Sequence, residues 1–208
     1  MVRVRSLALL AAPIGVALVV WSCDPQRSAV APTIGTPLAH FNEFQCTPFK
    51  MTGGGRIDYP PGTDEKNPAA SHIYETFGAH VMDQDGDCVA DQGALEWVDH
   101  RPEMRVNGSP LNLHATEITF AEVATDADCR DGAAHWGGTL RVQNTGQEGV
   151  NFVVFDCDDG EPGVGHDGFA ISTDLVVNGE FYAVLCPESH AEPTCTLTGG
   201  NRQFHPTH

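Results

Sequence analysis

Short runs of apolar and β-branched residues, separated by Gly, Pro, Asp and Asn, recur along the chain from about residue 46 onward. Runs of this length and punctuation are typical of β-strands, and no long stretch keeps a helical period. We therefore expect an all-β fold, a single antiparallel β-sandwich or partly closed barrel of about 8–10 strands. The strands are predicted near 50–58, 72–82, 93–99, 103–107, 111–122, 134–143, 150–157, 167–173, 180–186 and 195–205.

Turn residues and one continuous apolar run refine this prediction. Asn-Gly pairs at 107–108 and 178–179 predict tight turns, because both residue types tolerate positive φ. The run from Val150 to Phe155 alternates only in part, which is typical of a central strand covered on both faces.

The one long apolar run lies near the amino terminus, from Leu7 to Trp21, and does not follow the strand pattern. It comes after Arg3 and Arg5 and is followed by Ser22-Cys23. A basic start, an apolar run of this length and a small residue at its end predict an export signal rather than a membrane-spanning helix. Because the last four residues of this segment resemble a bacterial lipobox, we expect cleavage before Cys23 and lipidation of its thiol. An ordinary cleaved signal and a short uncleaved anchor are the alternatives.

The residues that follow the apolar run have a different composition. From Asp24 to about Phe44 the chain is rich in Pro, Ala, Ser and Thr and has no apolar period, which is typical of a flexible tether. The predicted organisation is a signal segment at 1–22, a lipidated cysteine with a linker at 23–45, and an all-β domain at 46–208.

The chain is strongly acidic, with a formal net charge of −17. Binding to nucleic acid requires a basic face, so nucleic acid is not expected as a partner. Anionic lipid headgroups would repel the same surface, so attachment to a membrane is expected through the lipid anchor.

Six cysteines remain after Cys23, and an even number in an exported chain predicts disulfide bonds. Cys186 and Cys195 bracket a short polar segment between two strand-like runs and are the pair we expect first, while the other pairings stay open. No CxxC spacing occurs, so a zinc site is not expected; free buried cysteines are the alternative. The candidates are Cys46, Cys88, Cys129, Cys157, Cys186 and Cys195.

Glycine-rich segments stand at both ends of the predicted domain, with an acidic turn between them. Residues 52–57 read TGGGRI, 95–100 read LEWVDH, 159–163 read DGEPG, 167–169 read DGF, and 197–205 read LTGGNRQFH. In this order and spacing they resemble the post-COAP domain family of bacterial surface proteins over about residues 50–205. The resemblance implies a compact all-β module of exported proteins, with no established activity and no agreed catalytic residues.

The same residues have a physical interpretation without the family. Glycines let backbones approach closely, so we expect the first and last predicted strands to lie side by side with their glycines adjacent. The acidic turn is interpreted as turn chemistry, with a cation site or an acid–base pair as alternatives. A strand-end hydrogen-bonding role is expected for the Asp-His pair at 99–100. The structural candidates are Gly53, Gly54, Gly55, Asp99, His100, Gly160, Glu161, Pro162, Gly163, Gly199, Gly200 and Asn201.

The segment 83–91, DQDGDCVAD, is the candidate metal site. Carboxylates at Asp83, Asp85, Asp87 and Asp91 follow the spacing of calcium-binding loops, and calcium prefers several oxygen ligands in a flexible cage. Cys88 replaces the usual glycine at the sixth position, and the twelfth position is not acidic. A loop that only connects two strands is the alternative.

The remaining candidates are histidines and aromatic side chains. His100, His166, His205 and His208 could form a transition-metal or acid–base site, although no zinc-type spacing occurs. No GxSxG motif surrounds a serine, and no catalytic residue is assigned. Aromatic side chains that could stack on a sugar, with core packing as the default, are Tyr74, Trp97, Trp136 and Tyr182.

Taken together, these patterns predict an exported, lipid-anchored and non-catalytic β module that works in binding or assembly at the bacterial cell envelope, periplasmic or surface-exposed. The membrane, another envelope protein and a glycan are the expected partners, and no cofactor other than possible calcium is expected. One alternative is a calcium-stabilised adhesion or carbohydrate-binding domain. The other is a metal-dependent hydrolase that uses the histidines.

Overall fold

The computed structural model describes residues 43–59, 74–125, 129–184 and 195–207. The strands in these residues are antiparallel and belong to one sheet. They are β1 (Glu43–Gln45), β2 (Phe49–Asp58), β3 (Tyr74–Asp83), β4 (Gln92–Asp99), β5 (Leu111–Thr125), β6 (Gly132–Val142), β7 (Gln147–Asp158), β8 (Gly168–Val177), β9 (Glu180–Val184), β10 (Cys195–Thr196) and β11 (Gly199–Pro206).

The sheet curls into a partial barrel, which confirms the predicted fold class. Its strands follow the order β10-β8-β7-β6-β5-β4-β3-β2-β11, while β1 pairs with β5 and β9 pairs with β8 outside this path. Because β10 and β11 are consecutive in the chain, the two ends of the order are joined by only two residues, Leu197 and Thr198. The expected pairing of the glycine-rich strands is also confirmed, since Gly55 lies opposite Gly200 in the β2–β11 register.

Three predicted elements differ from the structure. The strand predicted at 103–107 is wrong: a 3-10 helix occupies Pro102–Met104, and Val106 only bridges to Ser109 around the Asn-Gly turn. Proline begins that helix because it lacks the N–H that a strand would need. The strand predicted at 195–205 is divided into β10 and β11. β1 falls inside the predicted linker 23–45, so the ordered sheet begins before residue 46.

Alternating side chains fill the inside of the barrel. Trp97 and Trp136 are fully buried there. The expected central strand is β7: Phe152 and Val154 join the main core, while Phe155 joins a second cluster with Phe120. This strand is covered on both faces, as predicted.

The two Asn-Gly turns also agree with the sequence. Asn107 and Gly108 have φ values of 52° and 80°, and Asn178 and Gly179 have 54° and 92°. Positive φ at both central residues is the geometry of a tight hairpin turn, which asparagine and glycine accept most readily. The second turn joins β8 to β9.

Two disulfide bonds cross-link the described residues. Cys46 is bonded to Cys88, and Cys129 is bonded to Cys157, with Cα atoms 4.8 and 5.3 Å apart. Cys195 is also oxidised, whereas its expected partner Cys186 lies outside the described residues. Disulfide bonds of this kind indicate an oxidising compartment outside the cytoplasm. None of the described residues lies in a helix with the length and apolarity of a membrane span.

A row of carboxylates closes the gap between β11 and the β7–β8 region; we call this arrangement the seam and define it as residues 156–167 with 200–204. The backbone N–H of Arg202 donates to Asp167 at 2.6 Å, and that of Phe204 donates to Asp158 at 2.7 Å. These N–H groups are two residues apart and therefore point to the same side of β11, away from β2. The edge strand is thus hydrogen-bonded on both sides without another strand beside it.

The centre of the seam is a buried ion pair between Arg202 and Asp156. Both side chains are fully buried, and the arginine Nε donates to an Asp156 carboxylate oxygen at 2.7 Å while an Nη nitrogen donates to the other. The guanidinium also donates to the carbonyl oxygen of Ala79 and lies 5.8 and 5.7 Å from the ring centroids of Phe77 and Phe169. Burial raises the pKa of Asp156, an effect that the charge and hydrogen bonds of Arg202 oppose.

The ion pair gives a testable prediction. Arg202→Met removes the cation and leaves Asp156 buried without its partner, so we expect a loss of about 3–5 kcal/mol in the free energy of unfolding. The double variant Arg202→Met, Asp156→Asn removes both charges and should recover a large part of that loss. Urea unfolding of the disulfide-intact protein measures both values. A single variant as stable as the parent protein would contradict the role of the pair.

Candidate functional site

The acidic segment predicted to bind calcium forms the loop between β3 and β4. Ligand oxygens of Asp83, Asp85 and Asp91 lie within 4.8 Å of one another, while Asp87 does not belong to this group. The carboxylate of Asp87 instead accepts a hydrogen bond from the N–H of Val89 at 2.8 Å. Three of the four predicted acids therefore converge, and the predicted calcium site stays a prediction.

Hydrogen bonds to Asp83 and a disulfide bond define the shape of the loop. Asp83 is fully buried and accepts the N–H groups of Gly86 and Cys88 at 2.7 and 3.0 Å. Cys88 has a φ of 67°, so it adopts the left-handed conformation usually given to glycine, and its disulfide bond to Cys46 ties the loop to the β1–β2 connection. The charge of Asp87 raises the pKa of the exposed Asp85.

The histidine candidates do not assemble. His100 stacks on Tyr74 at 4.3 Å between ring centroids, and His166 lies 3.7 Å from a carboxylate oxygen of Asp159. His205 is in β11, and His208 lies outside the described residues. Within the described ranges, no histidine joins a group of three possible metal ligands. The hydrolase alternative stays a prediction.

The residues of the acidic turn and the closing glycine-rich segment come together at the seam. The amide of Asn201 donates to Glu161 at 2.8 Å and accepts the N–H of Gly163 at 2.9 Å. The N–H of Gly160 donates to Asp158 at 3.0 Å. A Cβ atom at Gly163 would collide with the side chains of Asp167 and Asn201, so the position requires glycine. The turn that holds Pro162 therefore has a structural role.

The sheet also buries a pair of acids that sequence analysis did not single out together. Glu75 on β3 lies directly opposite Asp99 on β4, and both side chains are fully buried. Like charges directly opposite each other destabilise a sheet. Arg101 compensates, because its guanidinium donates to both Asp99 oxygens and lies 3.0 Å from a Glu75 oxygen.

Asp99 is the most heavily hydrogen-bonded member of this group. The backbone N–H of Arg101 donates to it at 2.8 Å, and the hydroxyl of Tyr182 donates to it at 2.8 Å. The indole Nε1 of Trp97 in turn donates to the Tyr182 oxygen at 2.7 Å. The predicted strand-end hydrogen-bonding role of Asp99 is confirmed. At the next residue, the backbone N–H of His100 donates to the carbonyl oxygen of Tyr74.

The pKa of Glu75 is strongly changed by its surroundings in this group. Burial raises its pKa to about 8, and the nearby charge of Asp99 adds to the effect. The pKa of Arg101 is also raised, because the hydrogen bonds and charge of Asp99 outweigh the opposing effect of burial. At neutral pH the raised pKa favours the protonated form of Glu75.

A pocket of about 380 Å³ opens next to this group. Volumes of this size are typical of sites for small ligands. It lies between the 3-10 helix and the β8–β9 hairpin, and its lining residues are Arg101, Glu103, Met104, Val177, Asn178, Glu180, Phe181, Tyr182 and Ala183. The side-chain amide of Asn178 donates to the carbonyl oxygen of Glu103 at 3.0 Å, which connects the two walls.

Burial confirms the default interpretation, core packing, for three of the four aromatic candidates. Trp97 and Trp136 are fully buried and Tyr182 is 2% exposed, so their rings belong to the core. Tyr74 is partly buried and stacks on His100. The exposed aromatic ring beside the pocket is Phe181, at 69% exposure, which sequence analysis did not select.

No protein-family model matches this chain, and no match is found among curated proteins or solved structures. The resemblance to post-COAP domains therefore stays a prediction. What the fold and the site define is a disulfide-bonded, all-β domain of an oxidising compartment, with one acidic loop and a pocket beside a buried cluster of charged residues.

The raised pKa of Glu75 predicts how stability depends on pH. The native state keeps this proton up to about pH 8, whereas the unfolded carboxyl releases it near its ordinary value of 4.5. The native state thus binds more protons in this window, and the free energy of unfolding falls as pH rises through it.

Glu75→Gln mimics the protonated carboxyl and cannot titrate. The variant should therefore lose the part of the pH dependence of the free energy of unfolding that comes from Glu75, which is at most about 1.4 kcal/mol per pH unit. Urea unfolding at about pH 6.5 and 7.5 measures this slope. Burial raises the pKa of Asp167 to about 6, so both pH values lie above it and Asp167 contributes less to the slope. Glu117→Gln, at an exposed position on β5, is the control and should behave as the parent protein. An unchanged slope in Glu75→Gln would contradict the assignment.

Calcium binding by the β3–β4 loop stays a prediction, with a direct test. In protein stripped with a chelator, calcium at about 100 times its dissociation constant should stabilise the fold by about 2.7 kcal/mol. Asp91→Asn should reduce the rise in melting temperature, and Asp87→Asn, outside the convergent group, should reduce it less. An equal rise in melting temperature in all three proteins, or no rise in the parent protein, would contradict calcium binding by this loop.

Proposed function

We propose that this chain is an exported β module, held at the bacterial cell envelope by a lipid on Cys23, that binds a ligand without transforming it. The pocket between the 3-10 helix and the β8–β9 hairpin is the observation that carries the binding role. The disulfide bonds support export, because such bonds persist in oxidising compartments.

The hydrogen bonds and positions of Asp99 and Glu75 argue against either of these two acids as a general base for a ligand in the pocket. A general base must reach the proton that it removes. Asp99 already accepts from Arg101 and Tyr182, and Glu75 is not among the residues that line the pocket. Asp99 therefore holds both Tyr182 and Arg101 in position in the wall of the pocket, and Glu75 adds a second contact to Arg101.

The proposed anchor agrees with how the domain begins. The chain enters the described sheet at β1, which occupies the last residues of the predicted linker. Cys23 and most of that tether lie outside the described residues. The resemblance to post-COAP domains also supports this proposal, since that family implies modules of exported proteins.

Cell fractionation with mass spectrometry tests location and anchoring together. We expect the mature protein in the membrane fraction, with an acylated Cys23 as its first residue and the remaining cysteines unreactive towards alkylation until they are reduced. Cys23→Ala should move the protein into the soluble fraction of the envelope or the medium. An intact precursor in the cytosol with reactive thiols would overturn the proposal.

A further inference from the structure

The strand β9 has one paired edge and one free edge. Within the described ranges it pairs with β8 alone. The hydroxyl of Thr173 on β8 donates to the carbonyl oxygen of Tyr182 at 2.9 Å, so this carbonyl points towards β8. Backbone groups alternate in direction along an antiparallel strand, so the N–H and C=O groups of Phe181 and Ala183 point away from β8. The free edge of β9 therefore offers two donors and two acceptors.

The pocket lies along this free edge. Side chains alternate between the two faces of a strand, so a cavity over one face would be lined by every second residue. The pocket is lined instead by four consecutive residues of β9, from Glu180 to Ala183. Its opposite wall is the 3-10 helix, and the bond from Asn178 to Glu103 joins the two walls at the β8–β9 turn. The pocket is therefore a groove between a strand edge and a facing wall, a shape that a single extended chain fits.

β9 has little of the protection that strand edges usually carry. Edge strands are commonly guarded by proline or by charged side chains, especially lysine. β9 reads EFYAV, so Glu180 is its one charged residue and it contains no proline. Phe181 is 69% exposed, and its cross-strand partner Val176 on β8 is 57% exposed. An exposed apolar pair beside a free edge is typical of a site where a peptide adds as a strand.

We propose that the pocket binds an extended segment of a partner polypeptide, which adds to the free edge of β9 as a strand. The backbone groups of Phe181 and Ala183 bond to its main chain, and the Phe181 ring packs on an apolar side chain. The net charge of −17 and the exposed Glu180 favour basic side chains at the alternate positions. Because the 3-10 helix faces the edge across the pocket, a single segment fits there better than the edge of a second folded copy. This inference rests on the binding role proposed above and adds the class of partner.

Amide hydrogen exchange in the free protein tests the edge itself. The full mature domain is used with its disulfide bonds intact. We expect the amides of Phe181 and Ala183 to exchange quickly, because they have no partner strand, and the amide of Tyr182, which points towards β8, to exchange more slowly. Slow exchange at Phe181 and Ala183 in a monomeric protein, or their protection by pairing with a second copy in a dimer, would overturn the proposal.

Capped pentapeptides then test binding. Acetyl-Val-Lys-Val-Lys-Val-amide is the probe, and acetyl-Val-Glu-Val-Glu-Val-amide is its acidic counterpart. We expect the lysine peptide to slow exchange at Phe181 and Ala183 selectively, and the acidic peptide to bind more weakly by about threefold or more, because like charges lie opposite each other. Equal affinities for the two peptides would contradict a basic partner.

N-methylated forms of the lysine peptide test the backbone contact without changing the protein. One form has methyl groups on the nitrogens of its second and fourth residues, and the other on those of its first, third and fifth. An added strand presents only one of these two sets to β9, so one form should keep its affinity and the other should lose it. Equal affinities of both forms would overturn strand addition.

Variants assign the contacts on the protein. Ala183→Pro removes one donor of the free edge and places a ring there, so it should weaken binding by about tenfold or more. Ala183→Ser keeps the N–H and is its matched control. Phe181→Ser should weaken binding by about two- to fivefold, because a cross-strand contact with the ring is lost. Val89→Ser, which removes a 52% exposed apolar side chain from the β3–β4 loop, should leave the affinity unchanged. Thermal melts confirm that each variant is folded.

The outcomes separate this inference from the proposed function. Equal losses of affinity in Phe181→Ser and Val89→Ser, or in Ala183→Pro and Ala183→Ser, would overturn strand addition. An acylated protein in the membrane fraction whose pocket binds none of the peptides would overturn it as well, while leaving the location proposed above intact. A cytosolic protein that binds the lysine peptide along β9 would instead overturn the proposed location and support strand addition.

Discussion

The bond between Arg202 and Asp156 holds the barrel together across its one open side. Removing two charges from water is expensive, and their attraction repays that penalty only when the geometry is good and the remaining hydrogen bonds are made. Here the arginine bonds to both carboxylate oxygens, to the Ala79 carbonyl and to the faces of two rings. Trp136 donates a further bond to Asp156 at 3.3 Å. β11 and β7 are therefore joined by side chains where no backbone ladder forms.

The same constraint explains why the glycine-rich and acidic segments are spaced as they are. β11 must lie close to β2 on one side and accept the acidic turn on the other. A Cβ atom at Gly53 would collide with the backbone of Asn201, and one at Gly163 would collide with its side chain. The glycine-rich and acidic segments among those that resemble post-COAP domains are thus the ones that close the barrel, whereas residues 95–100 lie on β4 in the middle of the sheet. These segments therefore indicate how the sheet folds. They do not indicate which ligand the protein binds, which has to be inferred from other residues.

Period-two alternation, read more strictly, could have located the buried charges. Asp156 follows Phe152 and Val154 on the inward side of β7, and Asp99 follows Leu95 and Trp97 in the same way on β4. An acid in register with core residues must be buried and must find a partner. Arg202 could not be paired with Asp156 from the sequence, because that pairing depends on strand order and register. Arg101, by contrast, lies two residues after Asp99, and its contact with that carboxylate is local.

The pocket was harder to anticipate than the sheet. Its walls come from a 3-10 helix predicted as a strand and from a hairpin whose exposed ring, Phe181, follows no pattern. Strand positions were predictable because burial repeats every second residue. The width of a gap between two loops depends on how far each loop projects, and no local pattern encodes that distance. The spacing of the acidic loop pointed to a convergent group of carboxylates, but it did not show that Asp87 would lie outside that group.

The bridge between Cys46 and Cys88 has a mechanical consequence. A pull on the chain from the amino-terminal side reaches the sheet at β1, whose three residue pairs with β5 can separate one after another. After β1 the force reaches Cys46, which is bonded to Cys88. There it divides between β2, along the chain, and the loop that joins β3 to β4, across the disulfide bond. Three strands then share a load that would otherwise peel a single strand. Such an arrangement suits a domain whose leading end is held while its surroundings move.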